Sequence, residues 1–126
     1  MPAEPFAILL ISGTHERAHY AFVLAAGAAA IGRDVVLFAT NEGCRALLRD
    51  WSGLAESGRD GTVRARGVAG LDELRSAALE LGVRLLACDA GLLMAGLEPA
   101  LLLEQTEVAG VPSFLSAVGG GAIVTL

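Results

Sequence analysis

The sequence predicts an α/β protein in which a five-stranded parallel sheet lies between layers of helices. Three observations carry that expectation. Short aliphatic runs alternate with helical patterns along the whole chain. Two of the runs, Phe6-Ala7-Ile8-Leu9-Leu10-Ile11 and Val35-Val36-Leu37-Phe38-Ala39, are apolar at every position, as in strands buried on both faces. The runs are joined by helices rather than by two-residue hairpin turns, so successive strands are connected by crossovers.

The first run stops at Ser12-Gly13-Thr14, where Thr14 caps a helix from His15 to about Ile31 that Gly32 ends. From Ala21 onward that helix is apolar on all sides, which predicts burial on all sides. The second run ends at Thr40-Asn41-Glu42-Gly43, and a short helix follows from Cys44 to about Asp50, capped by Asn41 or Thr40. Residues 51–70, glycine-rich around Trp51, read as a long surface loop with at most a turn of helix. Leu71 to Leu81 carries apolar residues at helical spacing (Leu71, Leu74, Ala78, Leu81) and is closed by Gly82. The third strand, Val83 to Ala87 or Cys88, leads into a helix over about Asp89–Ala95 that Gly96 breaks, with another turn from Glu98-Pro99 to Leu103. Thr106 to Ala109 and Ala122 to Leu126 are the last strands, flanking a short helix over Pro112–Val118. The triple glycine 119–121 reads as a turn.

A chain of 126 residues, 54% hydrophobic and 18% charged, reads as one domain over 1–126 with a core that needs neither metal nor disulfide. Its excess of apolar residues predicts that a partner subunit covers part of the surface. The longest apolar run, Tyr20 to Ile31, is 12 residues, below the roughly 20 that cross a bilayer. Met1-Pro2-Ala3-Glu4-Pro5 has no basic leader pattern, so the expectation is a soluble cytoplasmic protein. Net charge is −5 and every base is an arginine. Without lysine the chain has no Schiff-base chemistry and no lysine-bearing phosphate loop. The arginines form no stripe for nucleic acid. Two cysteines 44 positions apart and two histidines, His15 and His19, make no metal pattern, and the cysteines are expected as free thiols.

Chemistry concentrates where strands end, because the carboxyl edge of a parallel sheet is where sites are built. Ser12, Gly13 and Thr14 sit where a helix end holds an anion or simply carries a cap, with His15 expected as an exposed first-turn residue. Cys44 follows the second strand and reads first as a small buried hydrophobe. Cys88 closes the third strand at the mouth of a helix. The helix end favours a thiolate there and the neighbouring Asp89 disfavours it, so these residues alone leave a working thiol and a packed one both open.

Ala87-Cys88 followed by a small-residue and hydrophobic helix with Met94 and then Gly96-Leu97 resembles the central cysteine motif of the DsrE/DsrF-like proteins. Ser12-Gly13-Thr14 before an alanine-rich helix, Gly32-Arg33-Asp34-Val35-Val36-Leu37-Phe38, and Gly121-Ala122-Ile123-Val124-Thr125-Leu126 fit the same pattern, so the resemblance covers nearly the whole chain. It implies a three-layer α/β/α fold of the DsrE type, with a flavodoxin-like strand order as the alternative. It also implies assembly into trimers or hexamers and a role in sulfur relay. There Cys88 would take up sulfur as a persulfide and pass it to a partner thiol, on a small sulfur-carrier protein for example, with no metal or organic cofactor. The other class of function is a non-catalytic binding or assembly module with a structural Cys88. If strand ends share one edge, Cys44, His15 and Glu42 neighbour Cys88. The chain departs from the family pattern at Asp89-Ala90-Gly91-Leu92-Leu93, where further methionine and serine or threonine are common.

Overall fold

A computed structural model describes residues 4–126; Met1-Pro2-Ala3, read above as lacking a leader, lie outside them. The apolar runs become strands β1 (Phe6–Leu10), β2 (Val35–Ala39) and β3 (Arg84–Cys88), and β4 (Glu107–Ala109) and β5 (Ile123–Thr125) are shorter. All pair in parallel in the order β4-β3-β2-β1-β5. This is not the flavodoxin-like order 2-1-3-4-5.

That order assigns the helices to faces. The chain steps from β1 to β2 to β3 to β4 in one direction, through α1 (His15–Ala30), α2 (Arg59–Ala65), α3 (Leu71–Glu80) and α4 (Asp89–Ala95). Phe22 of α1, Leu71 and Ala78 of α3, and Leu92 of α4 bury in one core with Ile8, Leu37 and Leu85. The last connection runs back across the sheet to β5, so a right-handed crossover has to use the opposite face. There α5 (Val111–Val118) lies alone, with Phe114 and Val118 over Ala7, Val36, Phe38, Leu86 and Cys88. Phe114 stacks on Phe38 with ring centroids 4.5 Å apart and planes 7° apart.

Thr14 caps α1 as expected, its side chain accepting the Arg17 amide. Three expectations need correction. The segment after β2 is a 3-10 helix over Asn41–Leu47, not a helix from Cys44, and Thr40 gives it no side-chain cap. Asn41 takes a left-handed φ of 51° and Gly43 packs against the Leu10 carbonyl, so the turn tightens directly off the strand. The stretch 51–70 is organised by the seven-residue helix α2. Finally, α1 is not buried all round from Ala21: Gly27 and Ala30 are exposed, and outer positions of glycine and alanine need no second cover.

With one helix covering a whole sheet face, Phe114 should dominate the stability of that layer. Phe114→Ala is expected to cost about 3 to 4 kcal/mol. Chemical denaturation checks this, against Ser116→Ala, at an exposed position of the same helix, which should cost less than about 0.5 kcal/mol.

Candidate functional site at the end of the third strand

The two sheet neighbours β3 and β4 send their chains to opposite faces, β3 into α4 and β4 into α5. Where adjacent strands diverge in this way, a crevice opens outside their carboxyl ends. Cys88, the last residue of β3, pairs with Ala109, the last of β4, at that divergence. Its side chain packs on the α5 face and is 4% exposed.

Cys88 is also the N-cap of α4, and its Sγ accepts the Gly91 amide at 3.4 Å. A side-chain cap normally comes from an oxygen; here the sulfur does it. The arrangement needs glycine at 91. A Cβ there would collide with Thr40 Oγ1 and lie 2.5 Å from the Asn41 nitrogen, because α4 leans directly on the 3-10 turn. Asp89 is exposed beside the sulfur, with Oδ1 accepting the Ala90 amide at 2.7 Å. Its carboxylate faces Gly110, the residue that opens α5.

Cys44 is fully buried beneath that turn and its Sγ–H donates to the Ala39 carbonyl at 3.5 Å. Burial first, then the charge of Cys88, push its thiol up to about 12. Cys44 lies in the turn that follows β2 and Cys88 at the end of the neighbouring strand β3, and both are free thiols. Arg75 of α3, which the sequence did not single out, is buried and holds this turn. Its Nη1 donates to the carbonyls of Ala46 and Leu48 at 3.1 and 2.6 Å, and its Nη2 to that of Arg49 at 3.3 Å. Glu42 is exposed and pairs with Arg45.

The other expected residues fall elsewhere. Ser12 and Thr14 bond each other through their hydroxyls at 3.0 Å, and the His15 amide donates to the Ala55 carbonyl. Gly13 is packed so closely that a Cβ would lie 2.6 Å from the Glu42 Cβ. Along this loop the Ser12 amide donates to the Leu126 carbonyl and the Thr14 amide to Ser12 Oγ. His15 is not an exposed first-turn residue: it is fully buried, with Nε2–H donating to Asp60 Oδ1 at 2.8 Å and Nδ1 accepting from Arg59 at 3.4 Å. Asp60, missed within the glycine-rich stretch, also accepts the Leu71 amide at 2.8 Å and faces Arg64. Burial raises the Asp60 carboxyl, but the His15 and Leu71 hydrogen bonds and the positive charge beside it outweigh burial and hold it below the usual carboxylate range.

Comparison with known proteins places the chain in context. A model of the DsrE/DsrF-like family matches residues 5–125. The uncharacterized protein YrkE of Bacillus subtilis (strain 168) is 25% identical over an alignment of 147 positions, gaps included, that covers 92% of this chain and 92% of YrkE. Among solved structures, the ychN protein of E. coli superposes with a TM-score of 0.74 at 13% identity, over 98% of this chain and all of that one. The MTH1491 protein of Methanobacterium thermoautotrophicum, itself of unknown function, gives 0.60 at 19% identity over the same shares. At these identities the two structures speak for the fold.

The depressed Asp60 carboxyl sets a pH dependence. Its folded pKa lies below its unfolded one, so its stabilisation is fully present above about pH 4 and is lost as pH falls through the folded value. Asp60→Asn should lower stability at pH 7 by about 2 kcal/mol and flatten the acid limb. Denaturant midpoints from pH 3 to pH 7 measure both effects.

Proposed function

The chain belongs to the DsrE/DsrF-like family, and on that premise we propose that it is a sulfur carrier that accepts sulfur on Cys88 as a persulfide and hands it to a partner thiol. The observation that carries the reading is the placement of Cys88, at the strand end where β3 and β4 send their chains to opposite faces, with an amide hydrogen aimed at its sulfur. The thiolate is the nucleophile in such an exchange, and the Gly91 amide gives the sulfur a fixed donor.

The exchange conserves atoms and electrons. The Cys88 thiolate attacks the outer sulfur of a donor persulfide; a new S–S bond forms, the donor's S–S bond breaks, and the donor leaves as a thiolate. An acceptor thiolate then attacks the outer sulfur of the Cys88 persulfide, and Cys88 departs as the thiolate it was. The Gly91 amide can serve the sulfur in both states. Cys44, held as a thiol by burial, stays out of the exchange. No step calls for a metal or organic cofactor.

The reading includes self-assembly as a trimer or hexamer, a small sulfur-carrier protein as exchange partner, and residence in the reducing cytoplasm that suits free thiols. Support for assembly comes from exposed apolar side chains on the helices that follow β3 and β4 and on the far edge strand β5. Leu93 and Met94 on α4 are 84% and 80% exposed, and Val111 and Leu115 on α5 and Ile123 on β5 are about half exposed. That is much apolar surface for a small chain to leave to water. No helix of the described residues is long and apolar enough to cross a membrane.

A second reading, a module in which Cys88 is only packed, is favoured by its low exposure and its place against Phe38 and Phe114. Intact-mass measurement after incubation with a protein persulfide donor separates the two. The carrier gains one sulfur atom, keeps the adduct in Cys44→Ser, loses it in Cys88→Ser, and releases it to added thiol. A native protein whose Cys88 alkylates yet takes up no sulfur overturns the carrier reading. If Cys88 resists alkylation as well, the packed reading stands.

Assembly is checked separately by light scattering coupled to size exclusion. Wild type should run at a multiple of three protomers, and the pair Leu93→Asp and Met94→Asp should shift it towards monomer. A wild type that is monomeric at micromolar concentration overturns the assembly.

A further inference from the structure

A second candidate site lies on the helical layer, between α1 and α2, and owes nothing to Cys88. Arg59, Thr62, Val63 and Arg66 follow one another at the i, i+3, i+4, i+7 spacing of a single helix face. That face looks across a groove of about 310 Å³ at Tyr20. Val63 is buried and forms the floor, half-exposed Val68 closes one side, and His19 is fixed at the inner end by its Nε2–H, donated to the Ala69 carbonyl at 2.8 Å.

The charge of this groove runs against that of the chain. The protein carries a net charge of −5, yet three of its nine arginines fall within residues 59–66. Asp60, the single acid in that segment, is turned inward onto His15 and Leu71, and Arg64 follows it. Two guanidinium groups are left to line the groove. Arg59 is steadied by His15 Nδ1 at 3.4 Å and meets only the distant edge of Glu16, at 3.9 Å. Arg66 forms no ion pair among the described residues. An apolar floor, a half-exposed phenol ring and two guanidinium groups with a hydroxyl between them match one chemistry: a flat apolar body bearing an oxyanion.

We propose that the α1–α2 groove binds a small aromatic or heteroaromatic anion, its ring on Tyr20 and Val63 and its carboxylate or phosphate held by Arg66 and Arg59. Guanidinium serves either acid because its planar fork offers two parallel N–H donors. The site is assembled before ligand arrives, since the Arg59 and Asp60 contacts that place α2 lie within the protein.

Titration of the full ¹⁵N-labelled chain, followed by amide spectra, tests this with phenyl phosphate and benzoate as probes and benzyl alcohol and inorganic phosphate as controls. At least one of the aromatic anions should move the amides of Tyr20, Thr62, Val63 and Val68 saturably, and the tighter one identifies the preferred acid. Each control should bind about tenfold more weakly, one lacking the charge and the other the ring. Arg66→Gln, at an exposed position, should weaken binding about tenfold, and Arg66→Lys should restore part of it. No saturable shift with either aromatic anion overturns the proposal. So does benzyl alcohol or inorganic phosphate binding equally well, or an unchanged affinity in an Arg66→Gln variant whose remaining spectrum is native.

Discussion

The handedness of parallel crossovers is the constraint from which the rest of this molecule follows. Three connections carry the chain from β1 to β4 in one direction and set α1 to α4 on one face of the sheet; the return to β5 then has to pass over the other. One consequence is that the chains leaving β3 and β4 diverge to opposite faces, at the strand end where Cys88 stands. A second is the asymmetry of the layers. The α1 face buries a large core, whereas the α5 face is roofed by one eight-residue helix anchored on the Phe38–Phe114 stack. Cys88 belongs to the thin side, near the exposed apolar residues of α4 and α5.

How closely α4 approaches the sheet edge is set by contacts that no single segment contains. Gly91 lets the helix lean on Thr40 and Asn41, and the turn it leans on is held from behind by Arg75, whose guanidinium takes the carbonyls of Ala46, Leu48 and Arg49. Burying an arginine is costly unless its donors are used, and here four of its five N–H groups have the chance of a partner while Nε has none. The cost is offset by what it satisfies: carbonyls at the end of a 3-10 helix that would otherwise be buried and unpaired.

Features written in local pattern were legible in the sequence. The continuous apolar runs located β1 and β2 to within a residue, Thr14 and Gly96 marked helix ends, and the placement of Cys88 between a strand and a helix followed from Ala87-Cys88-Asp89 alone. What escaped depends on distant partners. His15 looked like an exposed first-turn residue because its carboxylate, Asp60, lies 45 positions away in a stretch whose glycines read as loop. That acid, with Arg64 four positions later at helical spacing, was an available signal for α2. The 3-10 turn escaped because its start depends on Asn41 accepting a left-handed backbone and Gly43 fitting under the Leu10 carbonyl, neither of which has a periodic signature. Strand order too is a property of the closed fold, and only the family resemblance pointed towards it.

Asp89 remains the feature of the site that calls for a physical account, since a carboxylate beside a sulfur anion raises its energy. Two aspects of its placement limit that effect. Its oxygen accepts the Ala90 amide, and its carboxylate faces the Gly110 end of α5, so amide dipoles of two helices share its charge. It is also exposed, where water and salt screen it, whereas the Cys88 sulfur is nearly buried against the Gly91 amide. An exposed negative group over a recessed sulfur acts more strongly on what approaches than on what is already bound. On the carrier reading, small anionic sulfur species meet repulsion at the mouth, while a donor or acceptor carried on a protein with a basic rim is drawn to it.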